Sequence, residues 1–240
     1  MSATARIETV LFDAAGTLIE LRESVGTRYA WVARAHGIDL PAWRLDDAFK
    51  RIFPQAPPLL FPEATAAEID ACERRWWRAV VHSTFLAADS TACFEDFDAF
   101  FDALYTEFSR PECWSPRPGC RTMLAELRRR GFALGVVSNF DRRLHALFAG
   151  LELASLVDAI ILPSDAGAEK PAPEIFEFAL SRLGATASAS VFVGDSDAKD
   201  LRGARALGMR TIDVTSLANF ADFPDRLDQL AAPRLESNDD

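Results

Sequence analysis

Apolar and polar positions follow two different periodicities along this chain. Residues 7–12 form a short β-branched and aromatic run, which predicts a buried strand. From residue 20 to residue 108 the apolar positions recur at helical spacing, and no convincing strand interrupts them. This pattern predicts a block of helices over residues 20–37, 41–53, 65–87 and 91–108.

A second periodicity begins at Pro118, where short apolar runs alternate with helical segments. The predicted strands of this part are residues 132–137, 157–162, 190–193 and 209–214. Strands that alternate with helices of this length are typical of a doubly wound parallel sheet with helices on both faces. We therefore assign the first strand to this α/β core and treat the helical block as an insertion.

The two periodicities predict the domain organisation. Residues 1–18 and 113–235 are expected to form the α/β core domain, and residues 19–112 a helical cap domain. Residues 236–240 are polar and acidic, which predicts a disordered tail.

Composition narrows the classes of partner. The chain has 36 acidic against 26 basic residues and a net charge of −10, which disfavours nucleic acid and anionic membrane surfaces as partners. No apolar run forms a signal peptide or reaches the length of a transmembrane helix. The four cysteines form no C-x-x-C pair, which is typical of reduced thiols in the cytoplasm. We expect a cytoplasmic protein that is a monomer or a homodimer.

The first predicted strand ends on a single carboxylate, Asp13, which two alanines, Gly16 and Thr17 follow. Gly16 allows a sharp turn without a Cβ penalty, so backbone N–H groups are expected beside the carboxylate. This arrangement suits an anionic, phosphate-like ligand with Asp13 as the attacking group. By itself, the segment is explained equally well as a strand capped by a turn aspartate.

Three later strands also end on loops with polar side chains. Ser138 and Asn139 follow one strand, Lys170 stands next to two prolines after another, and an acidic loop from Asp195 to Asp200 follows a third. Taken singly, each is explained by helix capping or by a solvated surface. Because ligands bind at the carboxyl ends of strands in an open α/β sheet, we expect these loops to meet. Carboxylates that meet there need a cation, and oxygen-only ligands favour Mg²⁺.

Together these loops resemble the haloacid dehalogenase (HAD) superfamily of aspartate-nucleophile hydrolases. The superfamily has a strand ending in D-x-D-G-T, a Ser or Thr loop, a Lys and an acidic G-D-x-x-x-x-D loop. The residues that match these positions in order are Asp13, Ser138, Lys170, Asp195 and Asp200. The stretches 35–37, 138–144 and 206–209 are similar to the branch named for rhythmically expressed genes and HAD-like hydrolase domain-containing proteins.

The resemblance implies a fold and a role for each matching residue. The fold is a Rossmann-like HAD core with an inserted helical cap, as in the subfamily called IA, whose cap follows the first motif. Asp13 is the expected nucleophile, and Ser138 and Lys170 are expected to hold the phosphoryl group. The expected Mg²⁺ ligands are Asp13, the backbone carbonyl of Ala15, Asp195 and Asp200. The backbone N–H groups expected to bind substrate are those of Ala14, Ala15 and Asn139.

One position departs from the family pattern. Ala15 stands where phosphatases of the family have a second aspartate, the general acid and base. Its backbone carbonyl can still bind a metal, but the proton-transfer group is missing. General acid–base catalysis is typically worth about 10²–10⁴-fold in rate, so the loss is large unless the leaving group needs no proton.

Several functions are compatible with this departure. We expect a Mg²⁺-dependent phosphoric monoester hydrolase of low activity that acts through an aspartyl-phosphate on a small phosphorylated metabolite. Asp141 or Asp197 would then be the candidates to replace the missing acid.

Three alternatives stay open. The protein could resemble phosphonoacetaldehyde hydrolase, with Lys50 forming a Schiff base. It could be a 2-haloacid dehalogenase, against which the acidic residue Asp195 counts. It could also be a catalytically weak protein that binds phosphate, another anionic metabolite or a partner.

Overall fold

The computed structural model describes residues 6–217 and 219–231, so the predicted tail at residues 236–240 lies outside the described residues. None of the helices in the described part of the chain combines the length and the apolar character that a membrane span requires. The chain divides into two compact units. The first contains the described residues of Met1–Glu20, Pro116–Phe140 and Glu152–Asp240, and the second contains Leu21–Ser115 and Asp141–Leu151.

The strands form one large and one small sheet. Numbered along the chain, they are β1 (Thr9–Phe12), β2 (Ile19–Leu21), β3 (Trp114–Pro116), β4 (Ala133–Val137), β5 (Ala159–Ile161), β6 (Ser190–Gly194) and β7 (Arg210–Asp213). The five-stranded sheet has the order β5-β4-β1-β6-β7, and all its neighbouring strands run parallel. β1 therefore lies at the centre of this sheet, and β2 pairs with β3 in a separate two-stranded sheet.

Ten α-helices accompany the strands in the described part of the chain. They are α1 (Val25–Ala35), α2 (Ala42–Ile52), α3 (Ile69–Ala88), α4 (Phe97–Phe108), α5 (Cys120–Arg129), α6 (Arg143–Gly150), α7 (Pro163–Ala166), α8 (Pro173–Arg182), α9 (Arg202–Ala206) and α10 (Phe223–Ala231). A π-helical turn, Asp197–Leu201, precedes α9.

Both faces of the parallel sheet are covered by helices. Successive residues of a strand point to opposite faces, and Leu11 of β1 packs in a cluster with Ile175 and Phe176 of α8. The next residue, Phe12, lies with its ring centroid 5.7 Å from that of Phe223 in α10. All four residues of β1 are buried. The first unit is thus the doubly wound α/β core that the alternating pattern predicts.

The second unit is helical and has an aromatic core of its own. Tyr29, Phe85 and Phe100 are buried there together with Leu45 and Leu104. α6 and its flanking residues, 141–151, belong to this unit by their contacts, although the sequence pattern groups them with the core. The division of the chain runs at residues 20/21 and 115/116, against the predicted 18/19 and 112/113.

The structure differs from the predicted elements at three places. β2 and β3 have three residues each, which is too short for an alternating pattern to stand out. The helix expected to start at residue 91 begins only at Phe97, because the Asp96 side chain caps it by accepting the Ala99 N–H. The helical segment that the alternating pattern places after β6 starts as the π-helical turn and continues as α9.

Candidate active site

Asp13 stands at the carboxyl end of the central strand of the large sheet. Its backbone N–H donates to the carbonyl oxygen of Val193 in β6 at 2.9 Å, and the residue is 6% exposed. The chain then turns at Gly16, which has a φ of +92°. The carbonyl oxygen of Ala14 accepts the N–H groups of the residues that close this turn. The turn therefore fixes the carboxylate of Asp13 at the rim of the sheet.

Two buried side chains donate to the same oxygen of Asp13. Ser138, at the end of β4, donates from Oγ to Asp13 Oδ1 at 3.0 Å. Lys170 Nζ lies 2.5 Å from Asp13 Oδ1 and also 2.5 Å from Asp200 Oδ1. Phe192 lies under the ammonium, with its ring centroid 5.4 Å from Nζ. The loops after β1, β4, β5 and β6 thus meet, as the strand-end argument predicts.

The acidic loop after β6 is shaped around Asp200. The second oxygen of Asp200, Oδ2, accepts the Ser196 N–H at 3.1 Å, and the side chain is almost fully buried. A Cβ on Gly194 would lie 2.6 Å from Cβ of Asp200, so only glycine fits at this point of the loop. Asp200 therefore holds both Lys170 and the start of the acidic loop.

Three carboxylates in this site could hold a metal ion. One oxygen from each of Asp13, Asp195 and Asp200 lies within 4.8 Å of the others. Gly16 permits this approach, since a Cβ there would lie 2.4 Å from Asp195 Oδ2. The donors are hard carboxylate oxygens, without histidine or cysteine in the cluster, and three carboxylates outnumber the single ammonium. This donor set fits Mg²⁺. The expected role of the Ala15 carbonyl as a fourth ligand stays a prediction.

The electrostatics of the cluster favour an additional cation. Burial raises the pKa of the Asp13 carboxyl; the Lys170 ammonium opposes this shift and Asp200 adds to it. Asp195 is exposed at the surface, but partial desolvation of its carboxyl raises its pKa to about 6, and repulsion from Asp13 and Asp200 adds to the shift. Burial disfavours the charged form of Lys170, but attraction to both carboxylates outweighs this and raises its pKa. Lys170 therefore stays protonated, and a second cation would relieve the remaining repulsion.

For substrate binding, the sequence predicts contacts only through the backbone N–H groups of Ala14, Ala15 and Asn139. The backbone N–H of Ala14 favours the charged form of the Asp13 carboxylate and so lowers its pKa, and Ala15 lies half-buried in the turn. The side chain of Asn139 has a contact that the sequence pattern did not reveal. Its amide donates a hydrogen bond to the carbonyl oxygen of Lys170 and accepts one from the N–H of Lys170. The pattern could not reveal it because that peptide is 31 residues away along the chain.

The two residues named as replacements for the missing acid are engaged elsewhere. Asp141 is fully buried and accepts hydrogen bonds from Trp77 Nε1 at 2.6 Å and from the Arg143 guanidinium at 2.6 and 2.8 Å. Asp197 is exposed and pairs with Arg205 at 2.6 Å. Neither is held as a free proton donor. Lys50, the candidate for a Schiff base, is exposed on α2, whereas that chemistry needs a desolvated lysine.

Comparison with known proteins supports the resemblance that the four loops suggest. The sequence matches the family model described as haloacid dehalogenase-like hydrolase over residues 7–208. It is 34% identical to haloacid dehalogenase-like hydrolase domain-containing protein 3 of Bos taurus over 211 residues, which are 88% of this chain and 83% of that protein.

Two solved structures share the fold at lower identity. The HAD phosphatase of Thermococcus onnurineus is 22% identical, with a TM-score of 0.59 and 86% of each chain covered. The L-2-haloacid dehalogenase of Xanthobacter autotrophicus is 21% identical, with a TM-score of 0.63, 95% of this chain and 85% of that chain covered. The two enzymes have different activities on one fold, so the chemistry of this chain has to be argued from its site.

Proposed function

This chain belongs to the haloacid dehalogenase-like hydrolase family, and we propose that it is a Mg²⁺-dependent phosphohydrolase with Asp13 as nucleophile. One observation carries the proposal. A buried carboxylate at a strand end is oriented through one oxygen by Ser138 and Lys170, and two further carboxylates lie beside it. This arrangement supports attack on phosphorus next to a bound divalent cation.

Asp13 would carry the phosphoryl group between two steps. In the first, an Asp13 oxygen forms a bond to phosphorus while the bond to the leaving oxygen breaks, and the leaving group takes the electron pair. In the second, water attacks phosphorus, inorganic phosphate departs, the Asp13 carboxylate is restored and a proton passes to solvent. Since Oδ1 accepts from both Ser138 and Lys170, we assign the attack to Oδ2.

The surrounding donors would hold the three peripheral oxygens of the phosphoryl group. Ser138 and Lys170 are placed to shift from Asp13 to these oxygens, and the N–H groups of Ala14, Ala15 and Asn139 would add to them. Mg²⁺, held by Asp13, Asp195 and Asp200 and the Ala15 carbonyl, would neutralise charge on the phosphoryl oxygens. Lys170 would keep the carboxylates from repelling an anionic substrate.

Ala15 limits the substrate. The aspartate of the family pattern is absent here, and Asp141 and Asp197 are paired to arginines, so none of these three positions supplies a proton to a leaving alkoxide. A leaving group that is stable as an anion avoids this need. We therefore propose a small phosphorylated metabolite with such a leaving group, and low activity on simple alkyl phosphates.

The setting of the protein is part of the same proposal. The acidic net charge of −10 supports a small anionic metabolite, bound through the local cation site, rather than nucleic acid or a membrane surface as partner. The four cysteines are free thiols, which supports a reducing compartment such as the cytoplasm. We propose a monomer or a homodimer there.

A second candidate function is a phosphate-binding protein that turns over feebly or not at all. The observation in its favour is Ala15, which removes proton transfer without touching the carboxylate cluster. The acidic cluster counts against the dehalogenase-like alternative. The exposure of Lys50 counts against the Schiff-base alternative.

Replacement of the nucleophile tests the proposal. Asp13→Asn is expected to abolish Mg²⁺-dependent release of phosphate from p-nitrophenyl phosphate while the fold, followed by circular dichroism, stays intact. Asp197→Asn, which removes an exposed carboxylate of the same acidic loop, is the matched control and should keep the wild-type rate. Turnover that persists in folded Asp13→Asn would overturn the assignment of Asp13.

A further inference from the structure

We propose that the side chain of Asn139 is a positioning residue that holds the backbone of Lys170 for the reaction. The inference rests on the proposed function, because that function gives Lys170 its task. Asn139 Nδ2 donates to the carbonyl oxygen of Lys170 at 2.8 Å, and Asn139 Oδ1 accepts the Lys170 N–H at 2.7 Å. One amide thus satisfies both backbone groups of Lys170.

An asparagine suits this contact because of its chemistry. The amide carries a donor and an acceptor in one plane, and the backbone of Lys170 presents one acceptor and one donor. Both polar atoms of the Asn139 side chain are engaged by that backbone. The side chain is therefore directed at Lys170 and not at a substrate.

Lys170 needs such support because of where it lies. The segment between α7 and α8 that contains Lys170 is neither helix nor strand. Its Nζ nevertheless lies 2.5 Å from each of two carboxylates, with 2% of the side chain exposed. A flexible four-carbon stem holds such a position only if its backbone is fixed. Without the amide, the backbone groups of Lys170 would also lose their partners.

The loop after β4 thereby controls both side chains that orient Asp13. Ser138 donates directly to Asp13 Oδ1, and the next residue, Asn139, fixes the backbone from which Lys170 reaches the same atom. Loss of the amide should disturb Lys170 while Ser138 keeps its contact. This difference separates a positioning role from general support of the loop.

Chemical modification of lysine tests the proposal without catalysis. The chain has three lysines, and Lys50 and Lys199 are exposed, so they serve as internal references for limited acetylation by acetic anhydride and peptide mass spectrometry. Asn139→Ala should raise the acetylation rate of Lys170 relative to these two by roughly tenfold, the scale set by loss of the hydrogen bonds. Asn139→Asp should raise it as well, since an oxygen would then face the Lys170 carbonyl.

Ser190→Ala is the matched control for a general loss of stability. It removes the hydrogen bond from Ser190 Oγ to the Thr186 carbonyl, 2.7 Å long, at the other end of β6 from the acidic loop. Acetylation of Lys170 should stay at the wild-type rate in this variant. An unchanged Lys170 rate in Asn139→Ala, or an equal increase in Ser190→Ala, contradicts the proposal.

Phosphate binding then tests whether Asn139 acts through Lys170. Calorimetric titration with inorganic phosphate in the presence of Mg²⁺ should show affinity reduced about tenfold by Asn139→Ala, but not reduced further when Lys170→Met is already present. Losses that multiply would mean that the side-chain amide of Asn139 binds the anion directly, which overturns the inference. If the wild-type protein binds no phosphate, the proposed function fails, and the acetylation rates still decide the role of Asn139.

Discussion

The two oxygens of Asp13 have different surroundings at the scale of single residues. Oδ1 accepts hydrogen bonds from Ser138 and Lys170, and burial disfavours the charged carboxylate while Lys170 favours it. Lys170 is in turn held by Asp200. The ion pairs from Asp200 to Lys170 and from Lys170 to Asp13 therefore fix the orientation of the Asp13 carboxylate. A nucleophile requires such a fixed orientation before it reacts.

Ala15→Asp tests whether this site lacks only a proton-transfer group. In single-turnover experiments, the substitution should speed phosphorylation by an alkyl phosphate by about 10²–10⁴-fold. It should leave the rate with p-nitrophenyl phosphate nearly unchanged, because nitrophenolate departs without a proton. Ala15→Asn, of equal size but unable to transfer a proton, is the control. Equal rates for the two variants, in folded protein that binds Mg²⁺, would mean that the site is misaligned for this chemistry.

A substitution at Gly16 tests whether the position of Asp195 next to the turn matters for Mg²⁺ binding. In Gly16→Ala the new Cβ would lie 2.4 Å from Asp195 Oδ2, so Asp195 must move. Because a charged ligand is then displaced, the affinity for Mg²⁺ should fall at least about tenfold. Calorimetry measures this affinity. The glycine also has a φ of +92°, so alanine adds backbone strain on the order of 1 kcal/mol.

Gly131→Ala separates the strain from the displacement. Gly131 belongs to the same unit and has a similar φ of +85°, and a Cβ there would meet nothing within 4 Å. Both variants should lose thermal stability, but only Gly16→Ala should lose Mg²⁺ affinity. Equal affinities in the two would remove Asp195 from the metal site.

At the scale of elements, the site is made by loops that follow β1, β4, β5 and β6. The loop after β6 continues into the π-helical turn Asp197–Leu201, an irregularity that is frequent at functional sites. Asp200 lies within this turn and accepts the Ser196 N–H. The turn thus directs a buried carboxylate back toward Lys170.

In the helical unit, α3 carries a carboxylate whose titration affects stability. Glu73 is buried and accepts the Arg142 N–H at 3.0 Å. Burial raises its pKa to about 7, and Asp141 and Asp70 add to a shift that Arg142 opposes. The folded state then keeps a proton that the unfolded state has lost between about pH 4.5 and pH 7, so the free energy of unfolding falls as pH rises through this range.

Glu73→Gln should remove this pH dependence. The free energy of unfolding of Glu73→Gln minus that of the wild type should increase by at most about 3 kcal/mol between about pH 5 and pH 8. This difference should level off above pH 7. Urea titration measures it, with the exposed Glu112→Gln as the control that should follow the wild type. Parallel curves for Glu73→Gln and wild type would contradict the assigned cause.

Much of the fold could be predicted because buried strands such as β1 and β6 are continuous apolar runs with turn residues at their ends. The meeting of Asp13, Ser138, Lys170 and the acidic loop followed from the rule for parallel strand ends. The short strands β2 and β3 left no pattern to detect. The contacts of Asn139 with Lys170 and of Asp141 with Trp77 depend on which distant groups lie opposite, and periodicity contains no such information.

At the scale of the whole molecule, the chain combines a doubly wound α/β unit with a helical unit inserted after the first loop. All residues of the candidate site lie in the α/β unit. The family match covers residues 7–208, and so includes all four site loops. The family and the site therefore both indicate a hydrolase. Which substrate it takes depends on the proton-transfer group that is missing at Ala15.

Rapid acid quench at stoichiometric enzyme tests the central claim most directly. After p-nitrophenyl phosphate is mixed with the protein and Mg²⁺, we expect a burst of up to one nitrophenol per active site, followed by slow turnover. Mass spectrometry of the quenched protein should find one phosphoryl group on Asp13, and none without Mg²⁺. A burst that leaves Asp13 unmodified, or no burst in protein that binds Mg²⁺, would contradict an aspartyl-phosphate at Asp13.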